Sequence, residues 1–366
     1  LRAQNQLGET EDFDGEFERA HRLIGSRLPV QDRQAFEYRY SIISRTRRVY
    51  LRRQDLQQMQ GELRTAEAEW AAAQDWCNGS VGMTGISWGG FNSLQVAARQ
   101  PPALKAIITL CSTDDRYADD VHYMGGALLT ENEMWSNFML AEKTMPPDPQ
   151  IVGSRWREMW KMRLDAIHPQ IVDWMTHQRR DDFWKHGSVC ENYADIQCAV
   201  YAIGGWVDGY SNAVFRLMKG LTCPKKALVG PWGHGRPHFA YPGPMIGYLQ
   251  EQLRWWDHWL RGKDTGIMQE PMLRAYIEDE TGAGQWSVHR KGYWVAEASW
   301  PSPRIEPTAF HLGDGVLSTS SQNALSLSFR SPQWVGMGCG EWMGTGVAGE
   351  QPSDQRIDDG MSLCFD

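Results

Sequence analysis

Ser80-Val-Gly-Met-Thr-Gly-Ile86 runs straight into Ser87-Trp-Gly-Gly90, and the fold is decided there. The first seven residues read as a short buried strand. Trp88 to Arg99 reads as a helix, stopped by Pro101-Pro102. Leu104-Lys-Ala-Ile-Ile-Thr-Leu110 is then a second strand. Strand, helix, strand at this spacing is a βαβ unit, which predicts a parallel sheet and an α/β fold class.

Gly85-Ile-Ser87-Trp-Gly89 lies at the strand-to-helix turn. A G-x-S-x-G pattern is weak by itself, since a Gly-rich turn also lets a helix pack closely on a strand. Between a strand and a helix it becomes a candidate nucleophile elbow, in which small residues two places either side of the serine avoid collision. The helix behind it aims its N-terminal amides at the place where oxyanion charge would develop, and the Trp88 N–H is the candidate first donor.

Working outward, residues 114–194 break the α/β rhythm. Trp156, Met159, Trp160, Arg163 and Leu164 have helical spacing, and no strand signal appears, so an inserted helical cap is expected. The sheet resumes with Cys198-Ala-Val-Tyr-Ala-Ile203. A helix over about 212–219, a strand Lys226-Ala-Leu-Val-Gly230 and a tryptophan-bearing helix over about 246–260 follow. From Pro271 short alternating segments separated by turns suggest an antiparallel β domain: Met272–Ile277, Thr308–Leu312, Leu325–Phe329 and Ser362–Phe365. Upstream, residues 55–76 are rich in helix formers and end at Asn78-Gly79. The expected domains are 61–113 with 195–265 as the α/β core, 114–194 as the cap and 266–366 as the β domain. Residues 1–60, Arg- and Gln-rich with no clean strand before Ser41-Ile-Ile-Ser44, form an atypical N-terminal segment.

Two further signals follow strands. Asp208, in Gly204-Gly-Trp-Val-Asp-Gly-Tyr210, lies just past the second-half strand, where open α/β sheets place their sites. Taken alone it reads more readily as a helix N-cap, since Asp is favoured there and a helix follows. His234, in Gly230-Pro-Trp-Gly-His-Gly235, follows the next strand. Ser87, Asp208 and His234 thus occur in the order that an α/β-hydrolase triad requires. Asp208 would orient and charge-stabilise His234, which would take the proton from Ser87. His238 is the rival base, but His234 comes sooner after the strand and is flanked by glycines. Asp257-His258 reads as helix packing, and Arg179–Asp182 as a solvated charge cluster. His122, His168, His177 and His186 lack metal-ligand spacing.

Composition narrows the partners. A net charge of −8 offers no broad basic surface for nucleic acid. No run of 18 apolar residues suggests a membrane span, and no apolar signal region opens the chain. The seven cysteines are scattered without C-x-x-C spacing, which speaks against a zinc site or disulfide framework and fits a reducing, cytoplasmic compartment. Eighteen tryptophans suit an apolar ligand pocket.

Several stretches together resemble the CocE/NonD hydrolases, a family that includes cocaine esterase and Xaa-Pro dipeptidyl-peptidases. They are Trp76-Cys-Asn-Gly-Ser-Val-Gly82 through Gly90, Gly205–Tyr210, Gly230–His234, Leu253–Leu260, Phe329-Arg-Ser-Pro332 and Gly340-Glu-Trp342. The resemblance covers about 70–366. It implies an α/β-hydrolase core, a helical cap and a β jelly-roll, with ester or amide hydrolysis through an acyl-enzyme on Ser87 and no cofactor. The substrate would be a small acyl ester, amide or short peptide. Xaa-Pro dipeptidyl-peptidase activity is the alternative; it would need an acidic subsite for a free amine. Asp114, Asp115, Asp119 and Asp120 are the acidic candidates there, with helix capping as their other reading.

The chain departs from the family at both ends. The family's N-terminal strands and the Tyr that gives the second oxyanion hydrogen bond have no recognisable counterpart, although Tyr38, Tyr40 and Tyr50 are present. The jelly-roll is cut short at Asp366. A fragment, or a chain with an altered start, is therefore expected, with an inert member of the family as the third functional reading.

Overall fold

In a computed structural model of the chain, residues 65–279, 287–347 and 349–366 are described. The N-terminal segment, its three tyrosines and the first part of the expected 55–76 helix lie outside them; residues 65–72 are helical. The described chain divides into two units. One holds residues 65–81, 101–103 and 115–188, the other 82–100, 104–114 and 189–366.

The larger unit is built on runs of apolar residues that bury both faces of a sheet. β1 (Val81–Ile86), β2 (Leu104–Leu110), β5 (Ala199–Gly205), β6 (Lys225–Gly230), β7 (Leu273–Glu278) and β8 (Gly292–Glu297) lie side by side in that order. The β2–β5, β5–β6 and β6–β7 pairs are parallel, and β7–β8 is antiparallel. Alternate side chains go to opposite faces. Ile107, Val200, Ala202, Ala227 and Val229 pack on one side with α1 (Trp88–Ala97) and α7 (Ser211–Gly220). Ala106, Ile108, Tyr201, Ile203 and Leu228 pack on the other with Trp255 of α8 (Tyr248–Arg261). A sheet covered on both faces selects continuous Ile, Val, Leu and Ala runs, each large side chain contributing about 1.5–3 kcal/mol.

β7 corrects the sequence reading. Its Leu-Arg-Ala-Tyr pattern suggests a strand of a separate β domain with one wet face, yet it extends the central sheet parallel to β6. The polar residue of that alternation is turned inward: Arg274 donates to Glu251 of α8 at 2.7 Å and to the Tyr201 hydroxyl at 2.9 Å. Beyond β8 the expected strands are mostly missing among the described residues. Two-residue strands β9 (His311–Leu312) and β10 (Leu317–Ser318) pair antiparallel, while Leu325–Phe329 and Ser362–Phe365 form none. Phe310, Leu312, Leu325 and Phe329 are exposed, so no sheet face is completed that would hold them.

The smaller unit carries α2 (Glu131–Thr144), α3 (Pro149–Val152), α4 (Trp156–Asp165), α5 (Gln170–Thr176) and α6 (Asp182–Lys185). It also holds a hairpin that the sequence reading missed, β3 (Tyr123–Met124) against β4 (Ala127–Leu128). Gly125 and Gly126 turn it with φ of 58° and 86°, the left-handed pair that a tight hairpin needs. Its interior is polar at one point: His122 Nδ1 bonds Asn132 Oδ1 at 2.8 Å, and Trp174 and Trp184 pack against the ring. Among the described residues no helix is long and apolar enough to cross a membrane.

Candidate active site

Three loops leave the C-terminal edge of the parallel strands. At the first, Gly85 passes under Gly89, where a β-carbon would fall 2.3 Å from a backbone atom. This tight turn forces Ser87 to φ 58°, ψ −122°, a conformation costing of order 1–3 kcal/mol. The surroundings hold it there. The Ser87 N–H donates to Leu110 O at 2.8 Å, and its carbonyl accepts from Gly90 at 2.9 Å and Phe91 at 3.1 Å. The half-exposed Trp88 opens α1, so its amide belongs to the positive end of a ten-residue helix.

At the second loop, Asp208 is buried, with its side chain wholly out of solvent. Its Oδ1 accepts from His234 Nδ1 at 2.8 Å. It is not an N-cap: Tyr210 holds that position of α7, and no side chain caps the helix. The sheet explains the convergence. β5 and β6 are neighbours, and after they end the two loops stay laced by Trp206 N–H to Gly230 O at 2.9 Å and Val207 N–H to Trp232 O at 3.1 Å. His234 in turn donates its backbone N–H to Gly344 O at 2.7 Å. The rival His238 stacks on Tyr248, 5.7 Å between rings.

Two of the three sequence-predicted side chains are therefore hydrogen-bonded to each other. The Ser87 backbone N–H bonds to Leu110, and the residue after Leu110, Cys111, reaches the pair. The Ser87 hydroxyl forms no hydrogen bond with the His234 ring among the described residues.

Cys111 itself escaped the sequence reading, which saw only scattered thiols. It follows β2 at φ 45°, and its Sγ lies within 4.8 Å of both an Asp208 oxygen and a His234 nitrogen. Burial, reinforced by the Asp208 charge, pushes this thiol well above its ordinary pKa. A sulfur, an oxygen and a nitrogen so close could hold a metal in principle. The set does not suit one while the pair is formed, because a metal on Nδ1 would displace the Asp208 bond. Trp342 and Gly344 were also missed as site neighbours; the sequence flagged the stretch only as part of a resemblance.

The four acidic candidates for an amine subsite have other work. In the larger unit, both Asp114 oxygens accept from Arg216 Nε at 3.0 and 3.1 Å, and the Tyr193 hydroxyl donates to the same carboxylate. In the smaller unit, Asp115 accepts from the Tyr117 and Ala118 amides and meets Arg180 at 3.4 Å. Asp120 pairs with Arg116 at 2.7 Å, and Asp119 is buried beside the hairpin, bridged to Met124.

Residues 57–236 match the family described as X-Pro dipeptidyl-peptidase (S15 family). The chain is 25% identical over 291 residues to the cocaine esterase of a Rhodococcus species, covering 71% of this chain and 49% of that protein. It is 22% identical over 263 residues to a Xaa-Pro dipeptidyl-peptidase of Lactobacillus delbrueckii subsp. lactis, covering 69% and 31%. The chain thus spans about half or less of these curated relatives. Among solved structures, a CocE/NonD family hydrolase from Staphylococcus aureus superposes with a TM-score of 0.57 at 22% identity, covering 71% of this chain and 42% of that one. This last likeness shows a shared α/β-hydrolase-type fold.

Proposed function

Because residues 57–236 match the family described as X-Pro dipeptidyl-peptidase (S15 family), we propose that this chain hydrolyses an ester or amide of a small acyl substrate through an acyl-enzyme on Ser87. The observation that carries the reading is the buried Asp208–His234 hydrogen bond at 2.8 Å beside a strained serine turn. His234 with its Nδ1 proton on Asp208 presents Nε2 as a base. It takes the Ser87 proton as Oγ attacks the carbonyl carbon, then returns that proton to the leaving group. The Trp88 N–H receives the developing oxyanion, a donor worth about 3–4 kcal/mol in the transition state. Water, deprotonated by His234, then attacks the acyl carbon; the bond to Ser87 Oγ breaks, His234 returns the proton to Oγ, and the acid leaves. No step needs a cofactor.

The acyl ester or amide reading is preferred to removal of Xaa-Pro dipeptides by one observation. An amine subsite needs an uncommitted carboxylate, and of the four acidic candidates Asp114, Asp115 and Asp120 already face an arginine, which speaks against a subsite built on those three. The segment after β8 is read as part of a jelly-roll, supported by the alternation of its sequence and by the short β9–β10 pairing.

The test is labelling by a fluorophosphonate probe, with hydrolysis of short-chain p-nitrophenyl esters and of a Xaa-Pro p-nitroanilide measured in parallel. The wild-type chain should label and cleave the esters, and Ser87→Ala should do neither. Equal labelling of Ser87→Ala would overturn the assignment. Faster turnover of the anilide would favour the peptidase.

A further inference from the structure

Residues 341–347 come from far along the chain, yet they touch both loops that carry the acid and the base. Gly344 O accepts the His234 backbone N–H at 2.7 Å. The other side of the base loop is tied as well, by Gly233 N–H to Tyr241 O at 2.7 Å. The Trp342 indole meets the Tyr210 ring edge-on, 5.5 Å between centroids, and Tyr210 stands 5.9 Å from the His234 ring. The same indole covers Gly209, where a β-carbon would come within 2.8 Å of it. Asp208 is thus flanked, and His234 tied, by one strap.

The strap has its own anchor. One carboxylate, that of Glu350, accepts from the amides of Thr345 at 2.6 Å, Gly346 at 2.8 Å and Val347 at 3.1 Å, and from the Thr345 hydroxyl at 2.8 Å. Three successive amides turned toward one anion form a nest, which fixes the backbone that contains the Gly344 carbonyl. Glu341 N–H to Glu350 O at 2.8 Å closes the base of the strap. The 2.8 Å Asp208–His234 bond needs the two loops held to a few tenths of an ångström, and β5 and β6 end before either residue is reached.

We propose that Glu350 and Trp342 are positioning residues: through the strap they hold the His234 loop in register with Asp208. This rests on the serine-hydrolase reading above. Neither residue touches substrate. Their loss lets the imidazole sample geometries in which Nδ1 is not on Asp208, so turnover falls while substrate affinity does not.

The experiment compares wild type with Glu350→Ala, Glu350→Gln and Trp342→Phe by ester kinetics and by proton NMR of the downfield Nδ1 proton of His234, assigned by its loss in His234→Asn. Glu350→Ala should lower kcat about 10- to 100-fold with KM within twofold, and should broaden or remove the downfield proton. Glu350→Gln keeps one acceptor oxygen and should fall between. Wild-type kcat and an unchanged downfield proton in folded Glu350→Ala would overturn the proposal. So would a raised KM at constant kcat, which would assign the strap to substrate binding. Should Glu350→Ala fail to fold, Trp342→Phe is judged by the same criteria. Because the NMR signal requires no turnover, it reports on the strap even if Ser87→Ala shows the hydrolase reading to be wrong.

Discussion

Gly205 lies beneath the Trp232 carbonyl, where a β-carbon would come within 2.0 Å of that oxygen. The obstacle is backbone, so no side chain can swing aside. This close approach lets the end of β5 run against the start of the His234 loop and so brings Asp208 to the imidazole. Gly205→Ala should therefore destabilise the chain by about 3 kcal/mol and lower ester hydrolysis further than the loss of folded protein explains. Urea titration with parallel activity measurements decides it; an unchanged midpoint would show that the two loops can separate without cost.

Asp208→Asn tests the orienting role. The introduced amide would present an N–H to Nδ1 and favour the wrong tautomer, leaving the fold in place. A fall in kcat of roughly 10⁴ is expected, with thermal stability near wild type. Retention of more than a tenth of the activity would mean that another group orients the base.

The Asp114–Arg216 pair is a stability element. Asp114 is wholly enclosed, whereas Arg216 keeps one flank in water, with 37% of its side chain exposed. Arg216→Met strands the carboxylate. The cost should be about 2 kcal/mol, less than for a fully enclosed pair, and adding Asp114→Asn should recover part of it. If the single and double variants melt alike, Tyr193 alone satisfies the carboxylate.

His122 should make the smaller unit acid-sensitive. Burial, with the Arg116 charge adding to it, lowers its pKa to about 3. A depressed histidine is neutral in the folded chain while the unfolded chain takes up a proton below about pH 6.5. The stability it gives is complete above that value and drains as pH falls toward 3, about 3 kcal/mol being lost by pH 4. His122→Gln should flatten this part of the stability–pH curve in chemical denaturation between pH 4 and 7.

The parallel strands and the serine turn were legible because local signals coincide there: apolar runs of strand length, a Gly-rich turn and a helix stopped by Pro101-Pro102. β7 was misplaced because alternation cannot reveal whether its polar residue faces water or a buried partner such as Glu251. The β3–β4 hairpin has strands of two residues, too short for any periodicity, although its Gly-Gly turn was a usable signal. At the site, Asp208 and His234 were found from strand ends and chain order. Cys111, Trp342 and Gly344 were not, since no pattern along the chain links them to either residue.

By itself the sequence determined which side chains end which strands, and hence that a hydroxyl, a carboxylate and an imidazole emerge from one edge of a parallel sheet. That follows from period-two burial and turn chemistry, which are local. Only the tertiary structure decided that Asp208 serves His234 rather than capping α7, that Asp114 is tied to an arginine, and that a distant strap grips the base loop. Those outcomes depend on hydrogen bonds between segments tens to more than a hundred residues apart, whose partners are chosen by how the strands lie side by side.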